Sequence, residues 1–274
     1  MTSFNLAAYL ERIHLAEPGG ADAAGLAAVQ RAHRLAIPFE NLDVMLGRTI
    51  SIDSDAVFAK LVTARRGGYC FEHNRLFLNA LAALGFVVRP QLARVWLGAE
   101  AVPPLTHAIA IVTIDGGDWI ADAGFGGSYT PPMPLSDGAE ATAPDGARFR
   151  LTREEERGWV LWRAGDAATT DGRGTGEGFQ PQYSFVPGPA YDADLAMGNL
   201  WAAAAPASRF GTTCVVSVVL PKGFASLTDR RYRRRSGSET TEAEITDPRV
   251  YKLRLSMLFG IDLSAEEVAK LGIF

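Results

Sequence analysis

Apolar residues recur every three to four positions early in the chain. Leu6–Ile13, Leu26–Leu35 and Phe71–Leu84 each carry this pattern, the last through Phe77, Leu81 and Leu84, and each predicts an amphipathic helix. Gly85 supplies the stop after the third. Between the second and third helices, IPFENLDVMLG has Pro38 and Gly47 near its ends and reads as irregular structure. From Phe86 the period falls to two. Short apolar runs at Val87–Leu97, His107–Ile114, Trp119–Ala123, Arg148–Thr152 and Trp159–Arg163 alternate with turn-rich segments such as DGGD and REEERG, which predicts a β-sheet or barrel. Ala139–Ala147 and Ala164–Gly178 are rich in Gly, Ala, Asp and Thr and read as flexible connections.

Beyond GFQPQYSFVPGP, a short helix is expected near Asp192–Ala204, followed by strands at Thr213–Leu220, Phe224–Thr228 and Arg231–Arg235. Two helices close the chain. Asp247 caps the first, with Pro248 at its first position and Gly260 at its end, and a capping box from Ser264 to Glu267 opens the second. Helices, then strands, then mixed elements suggest an α+β protein of three successive layers rather than one doubly wound sheet.

Composition narrows the function classes. The chain has 274 residues, 47% hydrophobic and 21% charged, as ordinary soluble proteins do, and its formal net charge of -4 provides no overall positive field for nucleic acid or anionic membranes. The N-terminal MTSFNLAAYLERIHL lacks a basic region ahead of an apolar core, so no secretory signal is expected. The longest apolar runs, around Cys214–Leu220 and Ala108–Ile114, are too short to cross a bilayer. The expected location is the cytoplasm, with neither membrane nor nucleic acid as partner. A reducing compartment keeps the two cysteines as thiols, and Cys214, within TTCVVSVVL, reads as a small core hydrophobe.

Cys70 has a different setting. In Arg65-Arg66-Gly67-Gly68-Tyr69-Cys70-Phe71-Glu72-His73-Asn74 the thiol stands where two glycines give way to a helix, whose N-terminal partial charge and free N–H groups stabilise a thiolate and a developing oxyanion. Arg65 and Arg66 add to the local field. The plainer reading is close packing, which Gly-Gly before a small residue also suits.

A nucleophilic thiol needs a base, and there are four histidines. His14 and His33 lie on amphipathic helices and read as solvent-edge or core residues. His73, three residues after Cys70, shares a helix face with it, but has no orienting carboxylate except Glu72, which faces elsewhere. His107 begins HAIAIVTI and Asp122 lies in the next strand. A hairpin closed at Asp115–Asp118 puts Ile111 opposite Asp122, so His107 and Asp122 share a sheet face but are offset along the strands. Their contact then needs an even shift of register, a bulge or a bend. Asp122 also reads as a strand-end aspartate capping a turn. A zinc site on Cys70 and His73 lacks a second Cys or His cluster, so no metal is expected.

RRGGYCFEHN, together with IPFENLDV at Ile37–Val44, Thr106-His107, DAGFGG at Asp122–Gly127 and YSF at Tyr183–Phe185, resembles the arylamine N-acetyltransferase family, through to FGIDL at Phe259–Leu263. The resemblance implies a helical domain over 1–85 carrying the nucleophile, a β-barrel over 86–190 carrying His and Asp, and an α/β lid over 191–274, on a cysteine-protease- and transglutaminase-like core. It implies Cys70 as nucleophile, His107 as base and Asp122 as orienter. It places Phe39, Val95, Thr106, Phe125 and Phe210 around the acceptor, and CoA near Gly126, Gly127 and Ser128. The implied reaction moves acetyl from acetyl-CoA, a co-substrate rather than a tightly bound cofactor, to an arylamine or arylhydrazine through acetyl-cysteine. The expected assembly is a monomer or homodimer. Glu40 and Arg66 fall in two of the motifs and are expected to form a supporting ion pair.

The other readings are weaker. A cysteine peptidase or transglutaminase shares the triad, but no Gln precedes Cys70 closely enough to serve as the peptidases' oxyanion donor. A non-catalytic binding module would not need all three residue types. The run from Arg230 to Arg235 reads as a solvated strand edge, ahead of a contribution to CoA phosphate binding.

Overall fold

The computed structural model describes residues 4–164 and 178–274, so nearly all of the Ala164–Gly178 connection lies outside the described residues. The first part is helical: α1 (Leu6–Arg12), α2 (Ala23–Ala36), then strand β1 (Phe39–Glu40), α3 (Leu42–Met45), α4 (Ser54–Phe58) and α5 (Cys70–Ala83). Asp22 caps α2 by accepting from Gly25 N at 2.8 Å, and Gly85 at φ 88° turns the chain away after α5. A π-helical turn at Ala59–Thr63 follows α4 and prolongs it. Periodicity did not predict α3, α4 or β1, because each is too short to show a repeat.

The middle of the chain supplies β2 (Val87–Val95), β3 (Leu105–Ile114), β4 (Gly117–Ala121), β5 (Met133–Pro134), β6 (Glu140–Thr142), β7 (Arg148–Glu154), β8 (Gly158–Ala164) and β9 (Phe179–Phe185). They form one sheet in the order β5-β4-β3-β2-β9-β8-β7-β6, curled into a nearly closed barrel. Part of the predicted Ala139–Ala147 connection is therefore strand, since Glu140–Thr142 pairs with Arg148–Arg150. Tyr9, Leu26, Val29, Phe77 and Leu81 of the helices share one core with Ala110 and Val112 of β3.

The last part adds α6 (Asp192–Ala204), β10 (Val215–Leu220), β11 (Gly223–Thr228), β12 (Arg231–Ser236), β13 (Glu239–Glu244), α7 (Pro248–Phe259) and α8 (Ala265–Lys270). Asp247 and Pro248 start α7, Gly260 at φ 64° ends it, and Ser264 and Glu267 cap α8 reciprocally. The five-stranded sheet runs β1-β10-β11-β12-β13, so Phe39 and Glu40 pair with Ser217 and Val216. Cys214 is a core residue here, with its sulfur 3.3 Å from Tyr251 Oη.

The arginine run is not a sheet edge. β13 covers β12, and Arg230, Arg231 and Arg233 pair with Glu244 and Glu242 at 2.7–3.1 Å, while Arg235 meets Asp145 at 3.4 Å. β13 was missed because Glu239–Glu244 has no apolar alternation; opposite charges across the pair hold it. Among the described residues, no helix is long and apolar enough to cross a membrane.

Candidate active site

Cys70 is the first residue of α5, and its side chain is nearly closed off from solvent. Glu72 accepts from Tyr69 N at 3.1 Å, which caps the helix one residue ahead of the thiol. The barrel meets α5 almost backbone to backbone. A Cβ on Gly124 would lie 2.8 Å from Cys70 Cα and 2.6 Å from Asn74 Nδ2, so only glycine allows the approach.

β3 and β4 turn through Asp115–Gly116 alone, both at positive φ (49° and 78°), the geometry of a tight hairpin. Ile111 therefore faces Ile120, not Asp122. This two-residue shift from the predicted pairing carries Asp122 back along β3. His107 Nε2 then donates to Asp122 Oδ2 at 2.7 Å, with both side chains buried. Asp122 Oδ1 accepts from Gly124 N at 2.8 Å and Asn74 Nδ2 at 3.1 Å, and Gln30 Oε1 takes Asp122 N at 2.9 Å. With Nε2 used, Nδ1 is the ring nitrogen left for Cys70, which lies within hydrogen-bonding reach of His107 and whose sulfur is 3.7 Å from Thr106 O.

Electrostatics reinforce this arrangement. Burial disfavours the imidazolium, but the charge and hydrogen bond of Asp122, joined by Cys70, outweigh it and push His107 up to about 10. Burial likewise opposes ionisation of Asp122; His107 and the donors on Oδ1 reverse that and hold it below the usual carboxylate range. Arg66 is engaged with Glu40 and Asp43, and Arg65 is exposed, so the predicted arginine field at Cys70 does not arise. The local positive charge is that of His107 and the α5 terminus.

His73 faces away from the thiol, bonded to His33 Nε2 at 2.9 Å and Pro38 O at 3.0 Å. Burial lowers its pKa to about 3. His14 is exposed.

A cavity of about 210 Å³ opens over Cys70, and Phe39, Val95, Thr106, Phe125 and Phe210 all line it. Leu97, Pro103, Pro104 and Trp201 line it too; no motif marked them, because the long β2–β3 connection and α6 bring them in. Gly126 and Gly127 border an adjoining crevice of about 40 Å³ with Phe39, Arg209 and Phe210; Ser128 is not among its lining residues. Gly127 N is taken by Ser217 Oγ at 3.1 Å, and Arg34 donates to Ala123 O and Gly127 O at 3.3 and 3.2 Å, closing the DAGFGG loop from beneath. Arg34, Asn74 and Gln30 escaped the sequence reading, since each acts across a long sequence separation.

Arg66 Nη2 meets Glu40 Oε1 at 2.8 Å, and Lys60, carried on the π-helical turn, bridges Asp43 and Glu72 at 2.8 and 2.7 Å. Glu40 is only 1% exposed. Arg66→Met should therefore strand a buried carboxylate and cost about 3–5 kcal/mol, read from the midpoint of urea unfolding. A change below about 1 kcal/mol would show that Lys60 and the Leu42 N–H at 2.8 Å satisfy Glu40 without Arg66.

A family model described as N-acetyltransferase matches residues 22–268, which makes the chain an acyltransferase. Over 269 residues it is 38% identical to the arylamine N-acetyltransferase / N-hydroxyarylamine O-acetyltransferase of Salmonella typhimurium, across 96% of this chain and 91% of that protein. The solved structure of arylamine N-acetyltransferase from Salmonella typhimurium superposes with a TM-score of 0.90 at 35% identity, covering both chains completely. That of Mycobacterium marinum arylamine N-acetyltransferase in complex with CoA gives 0.86 at 28% identity, over 97% and 98% of the two chains. The chain belongs to the arylamine N-acetyltransferase family.

Proposed function

We propose that this chain carries acetyl on Cys70, taking it from acetyl-CoA and passing it to the nitrogen of an arylamine or arylhydrazine. The observation that carries the reading is a buried thiol beside an imidazole whose other nitrogen is 2.7 Å from a buried, ionised carboxylate. Cys70 Sγ attacks the acetyl carbon, the thioester to CoA breaks, and the His107 imidazolium supplies the proton to the departing CoA sulfur. The amine then attacks acetyl-Cys70. His107 takes the surplus amine proton, and the Cys70 thiolate leaves as the amide forms. Asp122 fixes the ring and stabilises its charge, and amides at the start of α5 face the developing oxyanion.

An arylamine suits the second step because it is uncharged at neutral pH and arrives ready to attack. Phe39, Val95, Thr106, Phe125 and Phe210 form walls for its ring in the cavity over Cys70. We assign part of CoA to the side of Gly126, Gly127 and Ser128; a crevice of about 40 Å³ takes no more than a fragment of it. The complex of the Mycobacterium marinum relative with CoA supports this donor. In this reading 1–85 carries the nucleophile, 86–190 the histidine and aspartate, and 191–274 the cover over the site, and the protein works in the cytoplasm, where Cys70 and Cys214 stay thiols.

Mixed with acetyl-CoA and no amine, the protein should gain one acetyl mass mapping to Cys70, and an added arylhydrazine should discharge it. Double-reciprocal plots should be parallel, because CoA leaves before the amine enters. Turnover that requires both substrates together, with no acetyl on Cys70, would overturn the reading.

A further inference from the structure

Behind the cavity, three ionisable side chains with no role in the proposed chemistry form a continuous buried line. Tyr9 Oη lies 2.9 Å from His33 Nδ1, His33 Nε2 lies 2.9 Å from His73 Nδ1, and His73 Nε2 lies 3.0 Å from Pro38 O. All three are fully buried. The last acceptor fixes every proton. A carbonyl only accepts, so His73 Nε2 carries the hydrogen and, in a neutral ring, Nδ1 does not. His33 Nε2 must then donate, which leaves His33 Nδ1 to accept from the Tyr9 hydroxyl. Burial keeps both rings neutral, with His73 lowered to about 3 and His33 well below its ordinary value. The chain therefore has one direction, from Tyr9 on α1 through α2 and α5 to the carbonyl preceding Phe39.

Phe39 is where this line meets the cavity. Its ring lies nearly parallel to that of His73, 13° between planes at 6.2 Å, and it also lines the cavity over Cys70. Gly126, at φ 78°, presses on the Phe39 ring from the loop side, where a Cβ would come within 3.3 Å. The loop ahead of the thiol is bridged to the same segment, Phe39 with Gly68, but does not depend on Pro38 O alone. Gly68 O takes Glu40 N at 2.8 Å, and Glu72 holds Tyr69 N. Gly68 N reaches Pro38 O only at 3.4 Å.

We propose that Tyr9, His33 and His73 are positioning residues for acceptor recognition, a one-way hydrogen-bond chain that fixes Pro38 and so sets Phe39 as a wall of the amine site. This rests on the acetyl-transfer reading above. Losing the hydrogen to Pro38 should loosen Phe39 and weaken amine binding, leaving the loading of Cys70 nearly unchanged.

The test compares His73→Met, of similar size but without a donor, with His73→Gln, whose amide N–H falls near the position of Nε2–H. Two quantities are read: KM for an arylhydrazine at saturating acetyl-CoA, and the rate constant for acetylation of Cys70 by acetyl-CoA alone. His73→Met should raise KM roughly tenfold, the worth of one buried hydrogen bond, with loading within about threefold of wild type. His73→Gln should restore most of the KM. A folded His73→Met with unchanged KM, or with loading lost in step with KM, overturns the inference. If His73→Met does not fold, Tyr9→Phe decides: at unchanged loading, a rise of about threefold in KM supports the chain and none overturns it. Wild-type protein that never loads acetyl sinks the underlying reading as well, whereas wild type that loads while the variants keep their KM sinks this inference alone.

Discussion

Cys70→Ala is expected to lower turnover by on the order of 10⁴-fold or more, the scale seen when a covalent catalyst loses its nucleophile. Cys70→Ser should fall nearly as far, because an alkoxide is far harder to generate beside the same imidazole. Both should keep wild-type unfolding midpoints to within about 1 kcal/mol, since the side chain is small and sits beside an existing cavity. CoA release in the presence of an arylhydrazine measures the loss. A decrease of only about tenfold would mean that the amine attacks acetyl-CoA directly and that the thiol merely lines the cavity.

Cys70 and its helix were legible in the sequence because Gly-Gly, a thiol and an apolar repeat are local signals. The long strands β2, β3, β7 and β8 were legible for the same reason: each carries its own alternation. What escaped is stabilised from a distance. The two residues of β1 are strand because β10 pairs with them, and β13 is strand because its glutamates face the arginines of β12. The side-chain parity of His107 and Asp122 could be read from alternation alone. Their contact could not, because it depends on whether DGGD turns through four residues or two. Arg34, Gln30 and Asn74 hold the Asp122 loop by hydrogen bonds spanning 48 to 93 positions, which no local pattern encodes.

His107→Gln should reduce the rate of Cys70 acetylation by at least ~10³-fold, and Asp122→Asn by up to ~10⁴-fold, as when a triad loses its orienting carboxylate. The double variant should be little worse than the more damaging single one, because the groups act as a unit. The two substitutions differ in what remains. In the wild type, His107 keeps its proton through neutral pH and releases it only towards about 10. With Asp122→Asn the larger attraction is gone and Cys70 alone opposes burial, so the His107 midpoint should drop well below 10. Histidine-selective NMR titration reads both values. A midpoint that stays near 10 in Asp122→Asn would mean that another group holds the imidazolium, and Asp122 would lose its assigned part.

The Asp115–Gly116 turn lies at the far end of its hairpin from Cys70 and lines neither the cavity over it nor the adjoining crevice, yet it sets the distance between His107 and Asp122 on which the proposed chemistry depends. Surface hairpin tips are ordinarily where chains accept extra residues without consequence. Here the number of residues is itself a functional quantity. One residue more, with β3 held in place, would turn the Asp122 side chain to the opposite face of the sheet; two fewer would slide it about 7 Å along β3 towards the turn, away from His107. The ruler for the active site is kept in a loop that never approaches it, and in this family such a loop should vary in sequence far more readily than in length.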